Sequence, residues 1–158
     1  MTRDEKFGRV LAIADVLGER TLPANKASIS SRYSGDFARH PEKVLKWIHE
    51  ELIAYNHNWG DREMLLFEYL ADEIAGLETD EFNNTPLSGK YLQAVMSKRA
   101  ELNNLISADQ AAKKWDMHPS TVKNYCAKGK IISTKIGKTW VIDGMQPNPK
   151  GIVDEEDE

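Results

Sequence analysis

Ser120, Thr121, Lys123 and Asn124 sit within five consecutive positions near the end of the chain. Their hydroxyl, amine and amide groups can read base edges in a DNA groove. Lys128, Lys130, Lys135 and Lys138 follow at short intervals, and cations so placed suit the phosphates that flank a groove. The chemistry on offer is therefore recognition. Bond-making has no comparable set of residues. His40, His49, His57 and His118 show no metal-site spacing, and neither HExxH nor CxxC occurs. Glu50 and Glu51 are adjacent, as are Asp72 and Glu73, so each pair points to different helix faces and makes a poor acid/base dyad. There is no GxSxG turn and no glycine loop for phosphate. The expectation is a protein that is not an enzyme and has no cofactor.

The elements that must position these side chains can be read from residues 107–131, "SADQAAKKWDMHPSTVKNYCAKGKI". Ser107 suits the cap of a helix carrying Ala108, Ala111, Ala112 and Trp115, small residues that let a second helix approach. Asp116 tolerates the left-handed turn, His118 stands at a cap position and Pro119 fits a first helical position. The second helix buries Val122 and Tyr125 or Cys126, and Gly129 ends it. In "KIISTKIGKTWVID", Gly137 and Lys138 lie between two β-rich runs and predict a two-residue hairpin.

Charge agrees with this division. Residues 1–103 carry 13 Lys/Arg against 17 Asp/Glu, residues 104–150 carry 8 against 3, and "GIVDEEDE" carries 0 against 5. A basic module between an acidic body and an acidic tail favours an anionic partner at that module. Solvated surface is the plainer alternative. The single cysteine, Cys126, excludes an internal disulfide. Neither a signal pattern nor an apolar run long enough for a bilayer is present, so the cytoplasm is expected.

The front hundred residues keep a helical period. Phe7, Val10, Leu11, Ala14 and Leu17 form one stripe, with Gly18 as its stop. Val44, Leu45, Ile48, Leu52 and Tyr55 form a second after Pro41. Leu66, Leu70, Ile74 and Leu77 form a third, with Asp61 as N-cap, and Leu87, Tyr91, Val95 and Leu102 a fourth. A short helix is expected around 24–33, followed by a loop. Lys26, Arg32, Tyr33, Arg39, Lys43, Lys46 and Trp47 run through that loop and the next helix. They could follow a phosphate backbone, with Tyr33 or Trp47 stacking on bases. Alternatively, Lys43 and Lys46 only solvate an outer face and Trp47 is core.

The expected architecture is mainly α. A helical bundle covers 1–103, a small winged helix-turn-helix with a β-hairpin covers 104–146, and a disordered acidic tail covers 147–158. The tail either adds solubility, the favoured reading, or folds back to compete for the basic face.

Two resemblances follow from these motifs. "FGRVLAIADVL", "ANKASISSRYSGDFARHPEKVLKWI" and "TPLSGKYLQAVMSKRAEL" resemble, in order over residues 6–102, the C-terminal helical region of the type I-C CRISPR effector large subunit. The matching positions are Gly8–Arg9, then Asn25, Ser28, Ile29, Arg32 and Tyr33, then Pro41 to Val44, then Pro86, Leu87, Gly89, Tyr91 and Leu92. Lys98–Arg99 stands where that family usually has Gln-Arg. In that family the region also occurs as a separate small subunit that holds the strand displaced by guide–target pairing. The resemblance implies Lys26, Arg32, Tyr33, Arg39, Lys43 and Lys46 as complex-docking or nucleic-acid contacts, and subunits of the effector complex as partners. The flanking-motif recognition part of the large subunit has no counterpart here, so a full large subunit is not expected. Residues 105–143 resemble the excisionase-type and MerR-type winged helix-turn-helix family through Thr121, Val122, Gly129, Lys135, Gly137, Lys138 and Trp140. That resemblance implies DNA as the partner, with Trp140 in the wing-to-helix core.

Joined, they imply an anti-CRISPR mimic of the small subunit that blocks the complex and represses its own gene. Two other readings stay open: a genuine accessory subunit, and a transcription regulator whose bundle only dimerises.

Overall fold

The computed structural model describes residues 1–136 and 139–149. The chain divides into two compact units, the first Met1–Leu102 and the second from Asn103 onward. This puts the boundary one residue before the expected one.

The first unit is all helical among the described residues. Helix α1 spans Arg3–Thr21 and starts at Thr2, whose hydroxyl accepts from the Glu5 amide. It is no one-sided stripe: Val10 to Gly18 are buried without a break, because α2, α3, α4 and α5 all pack on it. Gly18 does not stop the helix. A Cβ there would meet Ile29 Cγ1 at 2.8 Å, so the glycine lets α2 lie close. The stop comes at Leu22, held extended (φ −78°, ψ 153°) ahead of Pro23.

Helix α2 spans Ile29–Arg39, starting five residues later than the sequence predicts and continuing through 34–39, where a loop is expected. Ser28 sets its start by accepting from the Ser31 amide, and Pro23 to Ala27 form the turn instead. Helix α3 spans Pro41–Ile53 with Pro41 in its first turn, as expected. Helix α4 spans Asp61–Ala75, capped by Gly60 with no side-chain hydrogen bond, so Asp61 is the first helical residue rather than the cap. Helix α5 spans Tyr91–Leu102. Leu87 precedes it and is tied to α2 through its amide and the Ala38 carbonyl (2.7 Å).

The second unit packs two helices on a three-stranded antiparallel sheet. Strand β1 is Leu105–Ser107, α6 Ala108–Trp115, α7 Pro119–Ala127, β2 Ser133–Ile136 and β3 Thr139–Asp143. Strand order is β1-β3-β2, with Ile106 opposite Ile142 and Lys135 opposite Trp140. The sequence reading has the hairpin but not β1. Three residues are too few to show alternation, and only pairing with β3 makes them a strand. Gly137 and Lys138, the expected hairpin turn, lie outside the described residues. So does the acidic tail from 150 onward. Residues 147–149 belong to the second unit, where Pro149 is buried.

Candidate nucleic-acid interface

Helix α6 is started by a complete capping box. Ser107 accepts from the Gln110 amide at 3.1 Å, and the Gln110 side chain accepts from the Ser107 amide at 2.9 Å. It ends at Asp116 in the left-handed region (φ 53°, ψ 55°), and the Met117 amide returns to the Ala112 carbonyl at 2.9 Å. His118 then opens α7: its Nδ1 accepts from the Ser120 amide at 3.2 Å and pairs with the Ser120 hydroxyl at 2.7 Å. At the far end Gly129 is left-handed (φ 74°). Its amide bonds to the Cys126 carbonyl at 3.1 Å and the Lys130 amide to that of Tyr125 at 3.0 Å. Those two bonds are a Schellman stop. Both ends of α7 are thus fixed by local chemistry.

The inner side of α7 is fixed by packing. Val122 and Cys126 sit in one cluster with Ala108, Ala111, Ala112, Trp115, Ile131 and Ile142, and Tyr125 and Trp140 press against it. Burial pushes the Cys126 thiol up, against a smaller opposing effect from Ser133, so this cysteine serves as core.

The outer side is what remains. Ser120, Lys123, Asn124, Ala127 and Lys128 are exposed and Thr121 is half-buried. At 100° per residue these cover an arc of about 160°, with Ser120, Asn124 and Ala127 at its centre. Ala127 escapes a reading based on hydrogen-bonding types. The helical spacing from Ser120 and Asn124 places it, and a methyl there can meet a thymine methyl at close approach. On β2, Lys135 is exposed, and its ammonium lies 5.4 Å from the centre of the Trp140 ring, which faces it across the hairpin. Lys123, Lys128 and Lys135 form no ion pair among the described residues. Lys130 is half-buried beside the end of α7, and Lys138 lies outside the described residues.

The bundle candidates have a different fate. Arg32 grips Glu51 with two bonds of 2.8 and 2.9 Å and lies over the Tyr33 ring at 5.1 Å. Lys26 reaches the same carboxylate at 2.6 Å. Burial alone would raise the Glu51 carboxyl, but the bonds from Arg32 and Lys26 outweigh it and hold it below the ordinary glutamate range. Lys46 pairs with Glu42 at 3.1 Å. Of the expected track, Lys26 and Arg32 are thus spent on Glu51, whereas Lys46 holds only a surface pair with its side chain 62% exposed. Arg39 and Lys43 are exposed and form no ion pair among the described residues. Lys43 lies 5.0 Å from the Trp47 ring, and Trp47 is 45% exposed rather than core.

The motif residues of the bundle mostly hold helices together. A Cβ on Gly8 would stand 2.4 Å from the Tyr91 carbonyl oxygen, so α1 and α5 cross there at backbone distance. Arg9 bonds Glu73 at 2.6 Å, joining α1 to α4. The Tyr91 hydroxyl donates to the Ser34 carbonyl at 3.2 Å. Arg99 pairs with the fully buried Asp15, which also accepts from the Ser30 amide at 2.8 Å, so one carboxylate ties α1, α2 and α5.

The fold and the site define a mainly helical chain whose second unit presents one polar helix face backed by a small sheet. No protein-family model matches the chain, and a search of the curated proteins returns no match.

Proposed function

We propose that this chain is a non-enzymatic antagonist of type I-C CRISPR interference. Its bundle docks on the effector complex as a mimic of the small subunit, or of the large subunit's C-terminal region, and so blocks assembly or DNA interference. Its second unit is a winged helix-turn-helix that binds duplex DNA, with α7 in the major groove, and serves autoregulation. Both partners place the protein in the cytoplasm.

The observation that carries this reading is how the two units use their cations. The bundle ties Lys26 and Arg32 to Glu51 and Lys46 to Glu42. Lys123, Lys128 and Lys135 of the second unit face solvent without an ion pair among the described residues. A subunit that holds displaced DNA needs open cations, since phosphate neutralisation dominates such binding. A mimic needs only the shape, and the residues that carry the resemblance, Gly8, Arg9, Ser28, Arg32 and Tyr91, set the shape here.

A genuine accessory subunit is the second reading. It is favoured by Arg39, Lys43 and the half-exposed Trp47, which remain open for a strand. Plasmid interference by a type I-C system, with and without the co-expressed chain, separates the two. Loss of interference supports the antagonist. Unchanged interference, with rescue of a complex lacking its own small subunit, supports the accessory subunit. No effect in either assay leaves a DNA-binding regulator.

A further inference from the structure

We propose that the groove between α1 and α5 binds a small organic acid, with one carboxylate held between Arg9 and Lys98. The site lies wholly in the first unit and does not involve the α7 face.

The groove has a volume of about 830 Å³, within the range of small-molecule sites. Glu5 and Arg9 of α1 line one wall, and Gln93, Ser97, Lys98 and Glu101 of α5 the other. These positions recur at three- and four-residue steps, so each set shares one face of its helix.

What marks the groove is a buried cation. Lys98 is 3% exposed, and an ammonium so far from water requires acceptors for its three protons. It has two: the Tyr69 hydroxyl, whose ring it also faces at 4.4 Å, and the Glu101 carboxylate at 3.2 Å. The Glu101 side chain is itself 59% exposed, so water weakens that pair. Arg9 is also only partly used. Glu73 takes its Nε and one Nη2 proton at 3.3 and 2.6 Å, which leaves the Nη1–Nη2 edge of the guanidinium without an acceptor among the described residues. The Glu73 bond raises the Arg9 pKa against the opposing effect of burial, with smaller pushes from Tyr69 and Glu101. Those two residues are the partners of Lys98, so both cations belong to one cluster.

Charge selects the ligand. Glu73 and Glu101 balance Arg9 and Lys98, and Glu5 balances Lys90 on the groove wall. One negative charge can therefore be held by the unused donors, whereas a second has no cation to meet it. A carboxylate is preferred to a phosphate dianion on that ground. Its planar pair of oxygens also matches the open edge of the guanidinium. Gln93 and Ser97, both exposed along the groove, offer amide and hydroxyl groups to the body of the ligand.

The probe is N-acetylleucine, compared with its neutral amide, N-acetylleucinamide, and with glycerol phosphate as a dianion. Each is titrated into the isotope-labelled full chain and followed by backbone amide chemical shifts. The acid is expected to shift the amides of Arg9, Gln93, Ser97 and Lys98. It should bind at least about tenfold more tightly than either comparison compound, the gain of a charge-assisted bond. K98M keeps an unbranched stem and removes the ammonium, and should weaken binding of the acid about tenfold with an unchanged circular dichroism spectrum. Equal binding of acid and amide, tighter binding of glycerol phosphate, full affinity in K98M, or no shift from the acid at millimolar concentration would overturn the proposal. Should K98M fail to fold, the comparison of acid with amide in the natural chain decides alone.

Discussion

Replacing Gly8 by alanine adds one methyl group to a helix, a change that ordinarily stabilises it by up to about 1 kcal/mol. At Gly8 the sign should reverse. The new Cβ would lie 2.4 Å from the Tyr91 carbonyl oxygen and 2.7 Å from the Ala94 Cβ, whereas ordinary contact begins at 3.4 Å. Backbone carbonyl and helical Cβ cannot rotate away, so α1 and α5 must separate at their crossing by an amount on the order of 1 Å. Overpacking of this kind costs about 1–3 kcal/mol, leaving a net loss of up to about 2 kcal/mol once the full helix gain is subtracted. Gly35 supplies the control. It lies inside α2 with nothing within 4 Å of its Cβ position, so G35A should gain up to about 1 kcal/mol. Urea unfolding of the full chain by far-UV circular dichroism reads both, and midpoints are compared at unchanged slope. A midpoint for G8A at or above that of the natural chain would refute the close crossing.

Three further outcomes are expected. Because the folded Glu51 carboxyl is held below its ordinary range, its contribution to stability is present above the unfolded pKa and is lost as pH falls through the folded value. E51Q should therefore be less stable than the natural chain at neutral pH, with the difference shrinking below about pH 4.5 in urea titrations at several pH values. S107A removes the cap of α6 and should cost about 1 kcal/mol; hydrogen exchange measured on α6 peptides should rise while α1 peptides stay unchanged. In duplex binding, K123A and K128A should each weaken affinity for every sequence and reduce the salt slope by about 0.9. N124A should instead lower discrimination among sequences, read by competition between duplexes.

The second unit was nearly legible from its residues because each boundary has a local chemical cause. Ser107, Asp116, His118, Pro119 and Gly129 all occupy the cap and turn positions their types suggest. Strand β1 was not legible, since three residues become a strand only through a partner 34 or more positions away. In the bundle, the stripes locate α3, α4 and α5, whereas the helix expected around 24–33 misplaces α2 and Gly18 is misread as a stop. That glycine looks like a stop in a single helix, and its close contact with Ile29 exists only once α2 is packed. The site followed the same logic. The exposed arc of α7 follows from helical spacing plus burial of Val122 and Cys126. The fate of Lys26 and Arg32 does not, because Glu51 reaches both only in the folded bundle.

The central claim, that the bundle takes the small subunit's place, is tested most directly by purifying an affinity-tagged copy of this chain from cells that express a complete type I-C complex. The account expects complex components to co-purify with the tagged chain while the native small subunit is absent from the eluate. Co-purification of a complex that still contains its full native small subunit, or recovery of the tagged chain alone, would contradict it.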